Sequence, residues 1–169
     1  MTAASDVLKY LNLFVDGRGH AGQIEEYSPP DLTVSTEEHR AGGMDAPIDI
    51  DMGLEKLTCS FVLTGYDRAT IEMWGLKAGS GVPLTVKGSL ESYDGTTTAV
   101  THTMRGKITQ LSRGTWGSGN KPSLTVTATL DYYRETHGGT VTTEIDAINM
   151  VRVIGGVDQL AEHRRNLGL

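Results

Sequence analysis

From residue 56 to residue 64 apolar and polar positions alternate cleanly. Leu57, Cys59, Phe61 and Leu63 share one face, Thr58, Ser60 and Thr64 the other, and Val62 is the single apolar exception. A period of two marks a half-buried strand. The same patterning predicts strands over 8–16, 20–27, 32–39, 82–93, 98–112, 124–134 and 141–146. Asp16-Gly17, Asp94-Gly95 and His137-Gly138-Gly139 read as hairpin turns, while Pro29-Pro30 interrupts pairing. In 124–134 the core face is Leu124, Val126, Ala128, Leu130 and Tyr132, and the wet face is Thr125, Thr127 and Thr129. Threonine suits that face because its branched side chain favours a strand and its hydroxyl tolerates water.

Two segments read as helices. Asp67 stands where it can cap the free amides of a short helix over 67–74, Gly75 stops it, and Met73 and Trp74 are placed to pack on a sheet. The tail, GGVDQLAEHRRNLGL, predicts a short C-terminal helix with Asp158 near its N-cap, Leu160 and Ala161 on a packing face, Arg164 and Arg165 near the carbonyl end and Gly168 as the stop. One domain spanning 1–169 is expected, with no repeat, linker or low-complexity tract.

Residues 40–54, RAGGMDAPIDIDMGL, break the regular pattern. The segment is too long, and too apolar in its second half, for a solvated turn. Gly42, Gly43, Pro47 and Gly53 argue against a compact element, yet Met44, Ile48, Ile50 and Met52 require burial. The segment therefore reads as an arm that finds its cover on a neighbouring molecule. Folded back on itself with about six residues outward, it reaches roughly 20 Å at strand rise. Arg40, Met44, Asp45, Ile48, Ile50, Met52 and Leu54 are the expected contact residues between subunits.

Composition narrows the function. With 15 basic and 21 acidic residues the net charge is −6, which disfavours gripping nucleic acid through a basic patch. No apolar run approaches the roughly 20 residues of a membrane helix. The N-terminal MTAASDVLKYLNLF has neither a basic region nor a continuous apolar stretch, so no secretory signal is expected. Cys59 is the single cysteine; it falls on the buried phase of its strand and reads as an inert thiol in a protein made in a reducing cytoplasm.

Catalytic and metal chemistry finds no footing in the residues. His20, His39, His102, His137 and His163 are scattered without shared-ligand spacing. Asp45, Asp49 and Asp51 lack the calcium-loop pattern and alternate with Ile48 and Ile50 as strand residues do. GTWGSGNK at 114–121 misses the phosphate-loop pattern at Asn120 and Pro122, and reads as a hairpin loop anchored by Trp116. Glu25-Glu26 and Glu37-Glu38 point to opposite sides of their strands and do not converge. The expectation is a non-enzyme without metal or cofactor.

Three stretches carry a resemblance: Asn12-Leu13-Phe14-Val15-Asp16-Gly17, then EEHRAGGMDAPIDIDMGLE at 37–55, and EIDAINMVRVIGGVDQLAEHRRNLGL at 144–169. With alignable strands between them, the chain resembles the tail tube proteins of contractile-tailed bacteriophages and is especially similar to the tube subunit of R-type pyocins, which are tail-like bacteriocins. Residues 65–137 match more in pattern than in identity. The resemblance implies a mainly β, sandwich- or barrel-like subunit with one short helix, a short C-terminal helix and an extended inter-ring loop. Such subunits form hexameric rings that stack into a hollow tube inside a contractile sheath, alongside baseplate and tape-measure proteins. Contraction drives the tube through the target cell envelope; the lumen passes DNA in a phage without binding it specifically, or ions in a bacteriocin. Particles of this kind are assembled in the host cytoplasm. The resemblance assigns ring stacking to residues 40–54. Two other readings stand beside it: a type VI secretion ring protein of the same architecture, and a monomeric glycan-binding β-sandwich using Trp74, Trp116 and Tyr93 as a sugar platform.

Overall fold

The computed structural model describes residues 3–169. In chain order the elements are β1 (Val7–Val15), β2 (Arg18–Gly19), β3 (Ile24–Ser28), β4 (Val34–His39), β5 (Ile48–Leu54), β6 (Leu57–Thr64), α1 (Arg68–Glu72), β7 (Val82–Glu91), β8 (Thr97–Ser112), β9 (Ser123–His137), β10 (Thr140–Asp146), β11 (Val151–Ile154), β12 (Val157–Asp158) and α2 (Ala161–Leu167). The fold is mainly β and barrel-like, with its sheets left open. One antiparallel sheet runs β12-β11-β10-β9-β8-β7-β1-β2, with β6 and β3 branching from β9, while β4 and β5 form a separate two-stranded sheet. Because β1 and β3 come alongside without forming a ladder, the barrel keeps a seam.

β9 organises the core. Its N-terminal half pairs with β6 from Leu124↔Leu63 to Leu130↔Leu57, and its C-terminal half pairs on the same edge with β10 from Tyr132↔Asp146 onward. Between them lies Asp131, an extra residue where Gly106 faces Leu130 and Arg105 faces Tyr132. A bulge of this kind bends a strand and inverts which residues point inward. Leu124, Val126, Ala128 and Leu130 are buried as the alternation predicts, but past Asp131 the phase inverts. Tyr133 is buried in place of the expected Tyr132. Asp131 is fixed on both sides, its carboxylate accepting from Arg105 at 3.0 Å and its carbonyl accepting from the Ala147 amide at 2.9 Å. Gly106 makes the geometry possible: a Cβ there would lie 2.2 Å from the Thr129 carbonyl oxygen.

Around that strand the apolar faces of β1, β6, β7 and β8 close on one core with Leu13, Phe61, Leu84 and Ile108 at its centre. Cys59 is buried as expected, and burial pushes its thiol pKa up to about 12, so it stays protonated.

Several boundaries differ from the sequence expectation. The strand expected over 20–27 is broken by a turn in which the buried His20 accepts from the Gln23 and Ile24 amides, leaving β3 to start at Ile24. α1 is shorter than 67–74, although Asp67 does cap it, its carboxylate accepting from the Thr70 amide at 2.9 Å. Trp74 is largely exposed and donates from Nε1 to the Thr109 carbonyl. Trp116 does not anchor its loop in the core; it is exposed and leans on Tyr66 with ring centroids 6.0 Å apart. Asp158 lies near the N-cap of α2 as expected, accepting from the amide of Leu160, the N-cap residue, and pairing with Arg164; Gly168 ends the helix in a left-handed conformation, also as expected.

The seam opens at one end into an apolar cavity of about 280 Å³ walled by Leu8, Leu11, Val86 and Leu90. His102 and Glu135 lie at its base. Tyr27 Oη stands 2.9 Å from His102 Nδ1, and the His102 ring meets Tyr133 edge-on. Burial lowers the His102 pKa, and the charge of Glu135 only partly opposes it. The unfolded chain therefore binds a proton before the folded one does. Stability is fully present at neutral pH and falls as pH drops below the unfolded value of about 6.5, with a slope of at most about 1.4 kcal/mol per pH unit. His102→Gln, which keeps an acceptor for Tyr27, is expected to flatten this part of the profile in urea titrations between pH 7 and pH 5. An unchanged slope assigns the acid sensitivity elsewhere.

Candidate assembly surface

The arm is more ordered than its glycines and proline led us to expect. Its second half is β5, which pairs with β4 through His39↔Ile48, Glu38↔Asp49, Glu37↔Ile50 and Thr36↔Asp51. Opposed residues in such a ladder point to one side, so Ile48 and Ile50 share a face with His39 and Glu37, and Asp49 and Asp51 share the other with Glu38 and Thr36. The tip, residues 40–47, is closed by the Met44 amide donating to the Ala41 carbonyl at 3.2 Å and by Arg40 Nε reaching the Met44 carbonyl at 3.4 Å.

At the base a second bulge sets the bend. Val34 faces Leu54 while Thr36 faces Asp51, leaving one extra residue on β5. Gly53 sits there with φ +103°, a conformation few residues but glycine adopt, and its amide donates to Asp51 Oδ1 at 2.7 Å. The other oxygen, Asp51 Oδ2, accepts from Arg152 Nη2 at 2.9 Å. Arg152 first, and the Gly53 amide second, hold the Asp51 carboxyl below the usual carboxylate range.

The expected contact residues fall into three groups. Ile48, Ile50 and Met52 are 54%, 43% and 58% exposed, a row of large apolar side chains open to water in the isolated subunit. Met44 is half-buried within the tip, whose backbone also engages Arg40, and Asp45 is exposed beside it. Leu54 is turned inward and packs on the core, so it belongs to the root of the arm. Asp51 and Arg152 were absent from the expected set. The Asp-x-Gly spacing of Asp51 and Gly53 is a turn signal legible in sequence; Arg152, inside the apolar Val151–Ile154, gives only the oddity of a cation in a strand.

Arg152 is carried on a braced scaffold. β11 pairs with β10 and β12, and the Gln159 amide donates to the Arg152 carbonyl at 2.7 Å. Arg164 of α2 donates to the Met150 carbonyl at 2.7 Å and pairs with Asp158. Thus the two segments richest in family-like residues, 37–55 and 144–169, meet at Asp51 and Arg152. Beside the junction lies a cleft of about 650 Å³ with Leu54, Leu57, Leu130, Ile145, Met150 and Leu160 in its lining.

A sugar platform does not form from the expected aromatics. Tyr93 precedes the sixteen-residue β8 and Trp116 follows it, which sets them roughly 50 Å apart along the strand. Among the described residues no three histidine, cysteine, aspartate or glutamate side chains group to hold a metal.

Residues 5–168 fit the family model described as phage tail tube protein FII. The chain is 34% identical over 168 residues to the tail tube protein of Escherichia phage P2, covering 96% of each chain. It is 30% identical over 147 residues to the major tail tube protein of Serratia phage KSP20, covering 85% of this chain and 84% of that one. In fold it is similar to a chain of the sheath-tube complex of an extracellular contractile injection system (PVC) in the extended state, with TM-score 0.57 and 14% identity over 75% of this chain and 87% of that chain. It is likewise similar to a chain of that system's sheath/tube terminator structure, with TM-score 0.56 and 14% identity over 75% of this chain and 92% of that chain. A family model spanning nearly the whole sequence, together with relatives of matching length, leads to one conclusion: this chain belongs to the phage tail tube protein FII family.

Proposed function

We propose that the protein is the repeating subunit of the inner tube of a contractile tail or an R-type bacteriocin. Residues 1–169 act as one domain, six copies form a ring, and rings stack through the arm of residues 40–54. Family membership sets the role. The observation that carries the mechanism is the exposed row Ile48, Ile50 and Met52 on a strand projecting from an already complete core. The core gains nothing from that row, so its burial is available for association.

Magnitudes decide how many arms are needed. Full burial contributes about 1.5–3 kcal/mol per large apolar side chain, and roughly half of each is already covered, so one arm gains about 2–5 kcal/mol. Association and ordering cost at least as much. A ring presents several arms at once, and their contacts then act together through effective concentration. The subunit accordingly associates weakly by itself and firmly once stacked.

The fold shared with a chain of a sheath-tube complex supports a surrounding contractile sheath; baseplate and tape-measure proteins complete the partners in this reading. In this reading the tube is driven through the target cell envelope, and its lumen passes DNA or ions without gripping them, in keeping with the net charge of −6. Its place is the tail of the particle, assembled in the bacterial host. Negative-stain microscopy of the purified chain tests this directly: hollow rings or tubes are the expected result, and compact monomers at every concentration and salt condition refute it.

A further inference from the structure

The arm strands form a sheet of their own, so ladder bonds do not join them to the barrel. Among the described residues, a single side-chain hydrogen bond or ion pair crosses from the arm strands to the body: Asp51 to Arg152. Otherwise the arm is rooted by the chain itself, by Glu55 donating to the Thr33 carbonyl at 2.9 Å and by Leu54 against the core.

We infer that Arg152 is a positioning residue for assembly, gripping Asp51 at the bulge and so fixing the angle at which the arm leaves the body. The inference rests on the reading of the arm as the stacking element and names what aims it. One carboxylate carries both tasks, since Oδ1 shapes the Gly53 bulge and Oδ2 ties that bulge to β11. The tie is anchored on the body side, where Arg152 is only 17% exposed and its strand is braced by β10, β12 and Gln159. Leverage gives the junction its weight. At strand rise the hairpin extends roughly 20 Å beyond the bulge, so an error of about 20° at the base moves the tip by roughly 7 Å, more than one strand spacing. Stacking requires several arms to meet their receptors together, and loss of aim in each lowers their joint effective concentration. Asp51 is 47% exposed and stays hydrated when its partner is removed, so the pair's effect on assembly separates from any effect on folding.

The test uses the full chain and three readouts: thermal melting, sedimentable tube yield, and the distance distribution between spin labels on cysteines placed at Gly42 and Lys107 in the unpolymerised fraction. Gly42 has open space around it and Lys107 is exposed on β8, while the buried Cys59 stays unlabelled. For Arg152→Ala we expect melting within about 2 °C of the parent, a label distance distribution about twice as broad, and a tube yield at least about tenfold lower. Arg152→Lys, which keeps a cation opposite Asp51 and leaves the Asp51 Oδ1 contact with the Gly53 amide untouched, is expected to give a narrower distribution than Arg152→Ala and a yield within about threefold of the parent. An unchanged distribution in Arg152→Ala overturns the inference, as does a parental tube yield from that variant. Failure of the underlying reading has a different signature: tubes from a chain lacking residues 45–50 remove the arm from stacking altogether.

Discussion

A chain lacking residues 45–50 is expected to fold and to form no tubes. The deletion removes Ile48 and Ile50 and the outer turn, but nothing from the core around Leu13, Phe61, Leu84 and Ile108. Its melting should therefore stay within a few degrees of the parent, since surface changes away from packing features cost about 0.5 kcal/mol or less. Met52→Asp is a gentler version of the same experiment. It places a charge on a side chain that is 58% exposed in the subunit and, in the proposed tube, covered by a neighbour. Burying an unpaired carboxylate costs several kcal/mol at every contact, which exceeds what one arm gains. Sedimentation and negative-stain microscopy read the outcome. Parental yields from both variants would place the stacking contact on another surface.

Gly106→Ala is expected to be the most damaging single substitution in the barrel. The added methyl would stand 2.2 Å from the Thr129 carbonyl oxygen and 2.9 Å from Leu130 Cα, and both are backbone atoms that cannot swing aside. Relief requires β8 and β9 to separate at the bulge where β9 passes from β6 to β10. A loss exceeding about 4 kcal/mol is expected, or a shift of the urea midpoint by roughly 2 M. Gly42→Ala is the matched control, with open space around it, and should be nearly neutral. A Gly106→Ala midpoint close to that of the control would mean that the two strands are less tightly apposed than described.

Much of the architecture was readable from the chain because much of it is written in side-chain alternation. The faces of β6 and of the first half of β9 follow directly from Leu57 to Leu63 and Leu124 to Leu130. Glycine turns at Asp94-Gly95 and Gly138-Gly139 fixed the two long hairpins. What escaped was backbone geometry without a side-chain signature. The inversion at Asp131 exchanges Tyr132 for Tyr133 in the core, yet nothing in that stretch announces an extra residue. β11 escaped because four residues interrupted by an arginine are too few for a period to show.

The arm followed the same rule. The mismatch between its apolar residues and its glycines is visible in the sequence, and the structure leaves Ile48, Ile50 and Met52 exposed. The alternation of Ile48 and Ile50 with Asp49 and Asp51 shows strand character, but not the pairing with β4, because Pro47 and the bulge at Gly53 interrupt the run on either side. Leu54, expected among the contact residues, lies past the bulge and packs against the core. The Asp51–Arg152 pair spans 101 residues of sequence and could only be seen in space.

Among the described residues, one edge of β1 has no ladder partner from Val7 to Asn12: the ladder there runs to β7 alone, and β3 comes alongside at the seam without pairing. An uncovered rim will accept any extended backbone offered to it, correct or not. In the proposed tube, copies in surplus over the growing end are expected to pair with one another in faulty registers and to precipitate. Lys9, exposed at the irregularity midway along that rim, places a charge there, and Lys9→Val is expected to raise the precipitated share during overproduction.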